Sequence, residues 1–157
     1  MDKQNILNQL IEKAKNELAQ MQDSYKKTKD LVQNGDLKSD GKYDTRATEA
    51  NYLAGGQRLR VTELEQELEL ICGVDISTSS DSVSIGSLVE IELNGQQRKY
   101  FIAPTAGGTM LKICSEVVLV ISVFSPIGDG ALGLQAGDGF EVEINGSQRE
   151  YCVVSIS

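Results

Sequence analysis

Two stretches of this chain carry their seam residues at alternating intervals of four and three, and that spacing restricts the N-terminal half to one kind of structure. The first series is Leu7, Ile11, Ala14, Leu18, Met21, Tyr25, Thr28 and Val32; the second is Ala47, Ala50, Ala54, Gln57, Val61, Leu64, Leu68 and Ile71. On an α-helix this spacing places every member on one narrow seam, with polar residues over the rest of the surface. It predicts a first helix over residues 3–33 and a second that ends near Gly73. Each helix can bury its stripe only against the other, so the two run antiparallel. A helix of about 30 residues is a rod roughly 45 Å long. Residues 34–44 are then the tip of a finger, within a hairpin over 1–74. Gly55 and Gly56 fall inside the second helix, where the pair costs about 2 kcal/mol relative to alanine. Close approach of the facing helix near Met21 and Tyr25 is the expected reason, with a functional kink as the alternative.

The C-terminal half changes period. The runs "LVEIEL", "RKYFIA", "VVLVIS", "FEVEI" and "REYCVVSI" are rich in β-branched residues, and two connections close around Asn94-Gly95 and Asn145-Gly146. Asn-Gly between such runs is a strong hairpin signal. In "SPIGDGALG", Ser125 suits a helix N-cap and Pro126 the first helical position. A small antiparallel β domain with one short helix is expected over 83–157, after a polar, serine-rich link at 74–82. The fold class is therefore α+β. Gly128, Gly130 and Gly133 match a dinucleotide-binding pattern, but too little chain follows for a βαβ unit, so turn and helix-end roles are expected of them.

Composition removes several chemistries. The chain has 157 residues and no histidine, which excludes Ser-His and Cys-His nucleophiles and leaves carboxylates as the acid, base or metal-binding groups. Cys72, Cys114 and Cys152 are odd in number, far apart and set among apolar residues, as expected of buried free thiols. The net charge of −8 argues against nonspecific nucleic-acid binding by the whole surface, and no independent DNA binding is expected. No apolar run is long enough to span a bilayer, and "MDKQNILNQL" lacks the apolar core of a signal peptide, so a cytoplasmic protein is expected. Between Lys26 and Arg46, six basic residues stand against four acidic ones, whereas Glu63, Glu65, Glu67, Glu69 and Asp75 make the base of the second helix acidic. A basic distal half suits a probe that meets nucleic-acid phosphates, and an ordinary solvated helix face accounts for it equally well.

The tip "GDLKSDGKY" on a long hairpin, followed by "SPIGDGALGLQAGDGFEVEINGSQREYCVVSI", resembles the bacterial transcript cleavage factors GreA and GreB. The family tip reads Gly-Asp-Leu-x-Glu-Asn-Ala-Glu-Tyr, which Gly35, Asp36, Leu37 and Tyr43 match, and Gly55 falls where the family has a glycine. The resemblance covers both halves, specifically in the tip and over 125–156, and more loosely over 74–124. It implies an FKBP-like C-terminal domain that grips RNA polymerase, with Ser125, Pro126, Ile127 and Gly128 near the contact, while the finger enters the secondary channel towards the RNA 3′ end. It also implies that the chain is an accessory to the nuclease activity of the polymerase and not an enzyme of its own. In the family, paired tip carboxylates hold a Mg²⁺ that stabilises the attacking and leaving oxygens of phosphodiester hydrolysis. Here Asp36 matches the first; the glutamate position is Ser39, with Asp40 displaced by one and Lys42 in place of the second glutamate. Asp36 and Asp40 are thus the expected metal ligands, with Leu37, Ser39, Lys42 and Tyr43 as tip support. Turn and capping chemistry is the alternative for these aspartates, with Asp44 as N-cap of the second helix. Three functions follow: a Gre factor that promotes cleavage of backtracked RNA, a Gre homologue that occupies the channel without cleaving, and an FKBP-like isomerase or chaperone with a helical arm. The scarcity of aromatic residues disfavours the third.

Overall fold

The computed structural model describes residues 2–33, 46–77 and 79–157. Two long helices, α1 (Lys3–Gln33) and α2 (Arg46–Cys72), precede a sheet domain, and together they form the expected N-terminal hairpin. The chain divides into two compact units, Glu12–Glu69 and Met1–Ile11 with Leu70–Ser157. The start of α1 and the end of α2 thus belong to the unit that holds the sheet, where Ile6, Leu7, Leu10 and Ile71 are buried.

In the unit Glu12–Glu69 the seam follows the sequence spacing residue by residue. Ala14, Leu18, Met21, Tyr25, Thr28 and Val32 are half-buried, as are Ala50, Ala54, Gln57, Val61 and Leu68, and Leu64 is buried. Arg60 ties the helices together: its guanidinium lies 3.3 Å from Glu17 of α1, and 3.2 and 3.5 Å from Glu63 and Glu67 of its own helix. The hydrogen bond to Glu63 first, and then these acids' charges, outweigh desolvation and raise the Arg60 pKa further. Among the described residues, the seam holds a buried Gln57 Oε1 without a hydrogen-bond partner.

The glycine pair corrects the expectation of a close helix approach. Gly55 and Gly56 are exposed, α2 runs through them unbroken, and a Cβ built on either meets nothing within 4 Å. Their propensity cost is not offset by packing.

The rest of the chain forms one six-stranded sheet of β1 (Leu88–Leu93), β2 (Gln96–Ala103), β3 (Met110–Ile113), β4 (Glu116–Ser122), β5 (Gly139–Ile144) and β6 (Ser147–Ile156), with a short helix α3 (Pro126–Ala131) between β4 and β5. The spatial order is β3-β4-β2-β1-β6-β5. The sheet is not wholly antiparallel, because β2 and β4 pair in parallel, Lys99 opposite Val118 through Ala103 opposite Ser122. The β3 hairpin intervenes between them and supplies the crossover that a parallel pair needs. Asn94-Gly95 and Asn145-Gly146 turn as expected, all four residues at positive φ, and Cys114-Ser115 makes a third turn of that kind without the usual residues.

Strand alternation gives the sheet two faces. One carries Val89, Ile91, Tyr100, Ile102, Tyr151 and Val153, a core closed in part by Ala131 and Ile127 of α3. The other carries Leu88, Phe101, Leu111, Val118 and Val120, all buried. The cysteines differ from expectation: all three are free, but each is exposed. Cys152 lies between buried Tyr151 and Val153 on β6 and alternation turns it outward, Cys114 sits in a turn, and Cys72 ends α2.

Candidate functional site

The turn from β4 into α3 is built around Ser122. Its carbonyl accepts from the Ser125 amide at 3.0 Å and from Ser125 Oγ at 2.7 Å, and its own Oγ accepts from the Phe124 amide at 3.1 Å. Ser125 Oγ then accepts from the Gly128 amide at 3.1 Å, which is the N-cap expected from the sequence, with Pro126 at the start of the helix. Gly128 is buried so closely that a Cβ there would lie 2.0 Å from the Ser122 carbonyl oxygen. Gly130 makes room for the Phe140 ring, 2.7 Å from where its Cβ would be, and Gly133 has φ +83°. The glycines of "GDGALG" are therefore accounted for by packing and turn geometry. This locked turn presents Phe124, 87% exposed, directly before Ser125.

Beside the turn, the core face of the sheet opens into a cavity of about 330 Å³. Ile127 forms part of its wall together with Leu93, Leu119, Ile121 and Ile144, all half-buried, over the buried rings of Tyr100 and Tyr151. Tyr151 stacks on Phe140 with centroids 5.2 Å apart. Burial pushes the Tyr100 hydroxyl pKa upward, and the neighbouring Arg98 guanidinium opposes that shift. Arg98 and Arg149 stand exposed at the cavity. A second recess of about 520 Å³ opens beside β2 and β4, where Lys99 pairs with Glu116 at 2.6 Å.

Of the residues singled out in the sequence, the structure brings Ser125, Pro126, Ile127 and Gly128 together in the locked turn. Asp36, Leu37, Ser39, Asp40, Lys42 and Tyr43 lie outside the described residues, as does Asp44. Among the described residues no cluster of acidic or cysteine side chains could hold a metal ion. No described helix is long and apolar enough to cross a membrane. Sequence reasoning missed Phe124, Arg98 and Arg149. The signal for the arginines was present as an internal repeat, "EIELNGQQRKY" at 90–100 and "EVEINGSQREY" at 141–151, which gives each hairpin an arginine two residues before a tyrosine.

The chain thus runs from a helical hairpin into a mixed sheet that carries a short helix. The profile described as "Transcription elongation factor, GreA/GreB, C-term" matches residues 78–157, and this chain belongs to the GreA/GreB family of transcription elongation factors. Members of that family are accessory factors rather than catalysts. The chain is 30% identical over 127 residues to the transcription elongation factor GreA of Clostridium perfringens, covering 78% of this chain and 73% of the relative. It is 29% identical over 126 residues to GreA of Cereibacter sphaeroides, covering 79% and 77%. Among solved structures, GreA factor homolog 1 (Gfh1) of Thermus thermophilus aligns over 94% of each chain at 22% identity with a TM-score of 0.40.

Proposed function

We propose that this chain binds bacterial RNA polymerase through its sheet domain and carries the tip at 34–44 through the secondary channel to the catalytic centre, where it acts on backtracked complexes. The observation that carries this reading is the family membership, supported by the locked turn at Ser125–Gly128, the segment that the family resemblance assigns to the polymerase contact. In this reading Asp36 and Asp40 approach a Mg²⁺ of the polymerase active site, and the polymerase itself performs hydrolysis. The RNA 3′ end is the partner of the tip, and the site of action is the cytoplasm.

A second reading rests on the tip sequence: Ser39 stands where the family has its glutamate, and Lys42 replaces another. A chain with that tip occupies the channel and modulates transcription without promoting cleavage. Incubation with a stalled, backtracked elongation complex and Mg²⁺ separates the two. Shortened transcripts identify a cleavage factor. Unchanged transcripts with altered elongation identify the non-cleaving form, and no effect on transcription overturns both.

A further inference from the structure

The two copies of the hairpin motif lie side by side in the sheet, because β1 pairs with β6. Arg98 is paired across its hairpin with Ile91, and Arg149 with Val142, so both arginines project from the face that carries the apolar core. The same alternation sends Glu90, Glu92, Glu141, Glu143 and Glu150 to the opposite face. In a chain of net charge −8, the hairpins thus put only positive charge beside the cavity. Neither arginine has a carboxylate within ion-pair distance among the described residues. Helix α3, at six residues about 9 Å long, covers only part of this face and leaves the cavity floor half-buried.

We infer that this cavity is the seat for an acidic segment of RNA polymerase, one that places an aliphatic side chain on the floor beside Leu93 and Ile144 and carboxylates against Arg98 and Arg149. The occupant follows from complementarity: half-buried aliphatic surface calls for an apolar anchor, and two guanidiniums that have no ion pair among the described residues call for carboxylate oxygens that accept from them. Ile127 joins the cavity to the turn Ser125–Gly128, so the seat extends the contact of the proposed function and rests on that reading.

The test is equilibrium binding of the full chain to immobilised core RNA polymerase at several KCl concentrations. Replacing both guanidiniums, Arg98→Glu with Arg149→Glu, is expected to weaken binding at least about tenfold and to flatten its salt dependence. The variant with Arg98→Lys and Arg149→Lys keeps the charge and is expected to retain most of the affinity. The melting temperature of each variant reports its fold; if the double reversal does not fold, Arg149→Glu alone is judged by the same criterion. Wild-type binding that the charge reversal leaves unchanged overturns the cavity assignment alone. Absence of wild-type binding overturns the polymerase reading and the assignment with it.

Discussion

Single residues divide sharply between those that hold this fold and those it displays. Gly128 and Phe124 are four positions apart and make the contrast measurable. A Cβ at Gly128 would lie 2.0 Å from a carbonyl oxygen of the turn, so Gly128→Ala is expected to destabilise the sheet domain by about 1–3 kcal/mol or more in urea unfolding. Phe124 is 87% exposed, and Phe124→Ala should change stability by no more than about 0.5 kcal/mol in the same measurement. A large loss on removing Phe124 would mean that its ring packs rather than presents. Tyr100 supplies a pH prediction. Its folded-state pKa is raised, first by burial, so the folded state holds the phenolic proton more tightly than the unfolded chain does. Stability is then unaffected by this group below the unfolded tyrosine value of about 10 and falls as pH rises above it. Unfolding curves at pH 8 and pH 11 should show that loss, and Tyr100→Phe should reduce it.

Among the elements, α2 is where sequence and packing part. Its seam residues are covered as the spacing requires, while Gly55 and Gly56 are open on all sides. Gly55→Ala and Gly56→Ala should therefore each stabilise the hairpin by about 1 kcal/mol, read as a rise in the helical unfolding midpoint. A destabilisation would show that the glycines answer a need other than helix formation. The seam was legible because an antiparallel helix pair exposes its burial period directly in the sequence. Helix α1 covers the expected residues, and β1 covers "LVEIEL" from end to end. Strand β3 was not legible: it has four residues, Met110 and Lys112 are exposed, and its turn uses Cys114-Ser115 rather than Asn-Gly. Without β3, the parallel pairing of β2 with β4 could not be foreseen, since neighbouring runs default to hairpins. The cysteines were misplaced because apolar neighbours on a strand point away from the residue between them, as Cys152 shows. The locked turn was read correctly from Ser125 and Pro126, where capping chemistry is local. The arginines at the cavity were missed because their meaning depends on which face β1, β2, β5 and β6 turn towards α3.

At the scale of the whole molecule, a family-defined sheet domain follows a hairpin whose tip sequence departs from the family pattern. Asp36 is the one tip carboxylate that matches the family position, and even the loss of a capping carboxylate costs only about 1 kcal/mol of folding. Asp36→Ala is thus expected to leave the melting temperature nearly unchanged while reducing the effect on transcription. Ser39→Glu, which restores the family residue, is expected to increase transcript cleavage by backtracked complexes. Unfolding of the hairpin by Asp36→Ala, with unaltered transcription by the folded fraction, would instead assign that residue to capping. The most direct measurement is photocrosslinking from the tip, with a benzophenone amino acid at position 42 and a backtracked elongation complex carrying labelled RNA. Crosslinks to the RNA 3′ segment and to the polymerase around its catalytic centre are expected from the proposed function. Binding of the protein to polymerase with no crosslink from position 42 to either would contradict it.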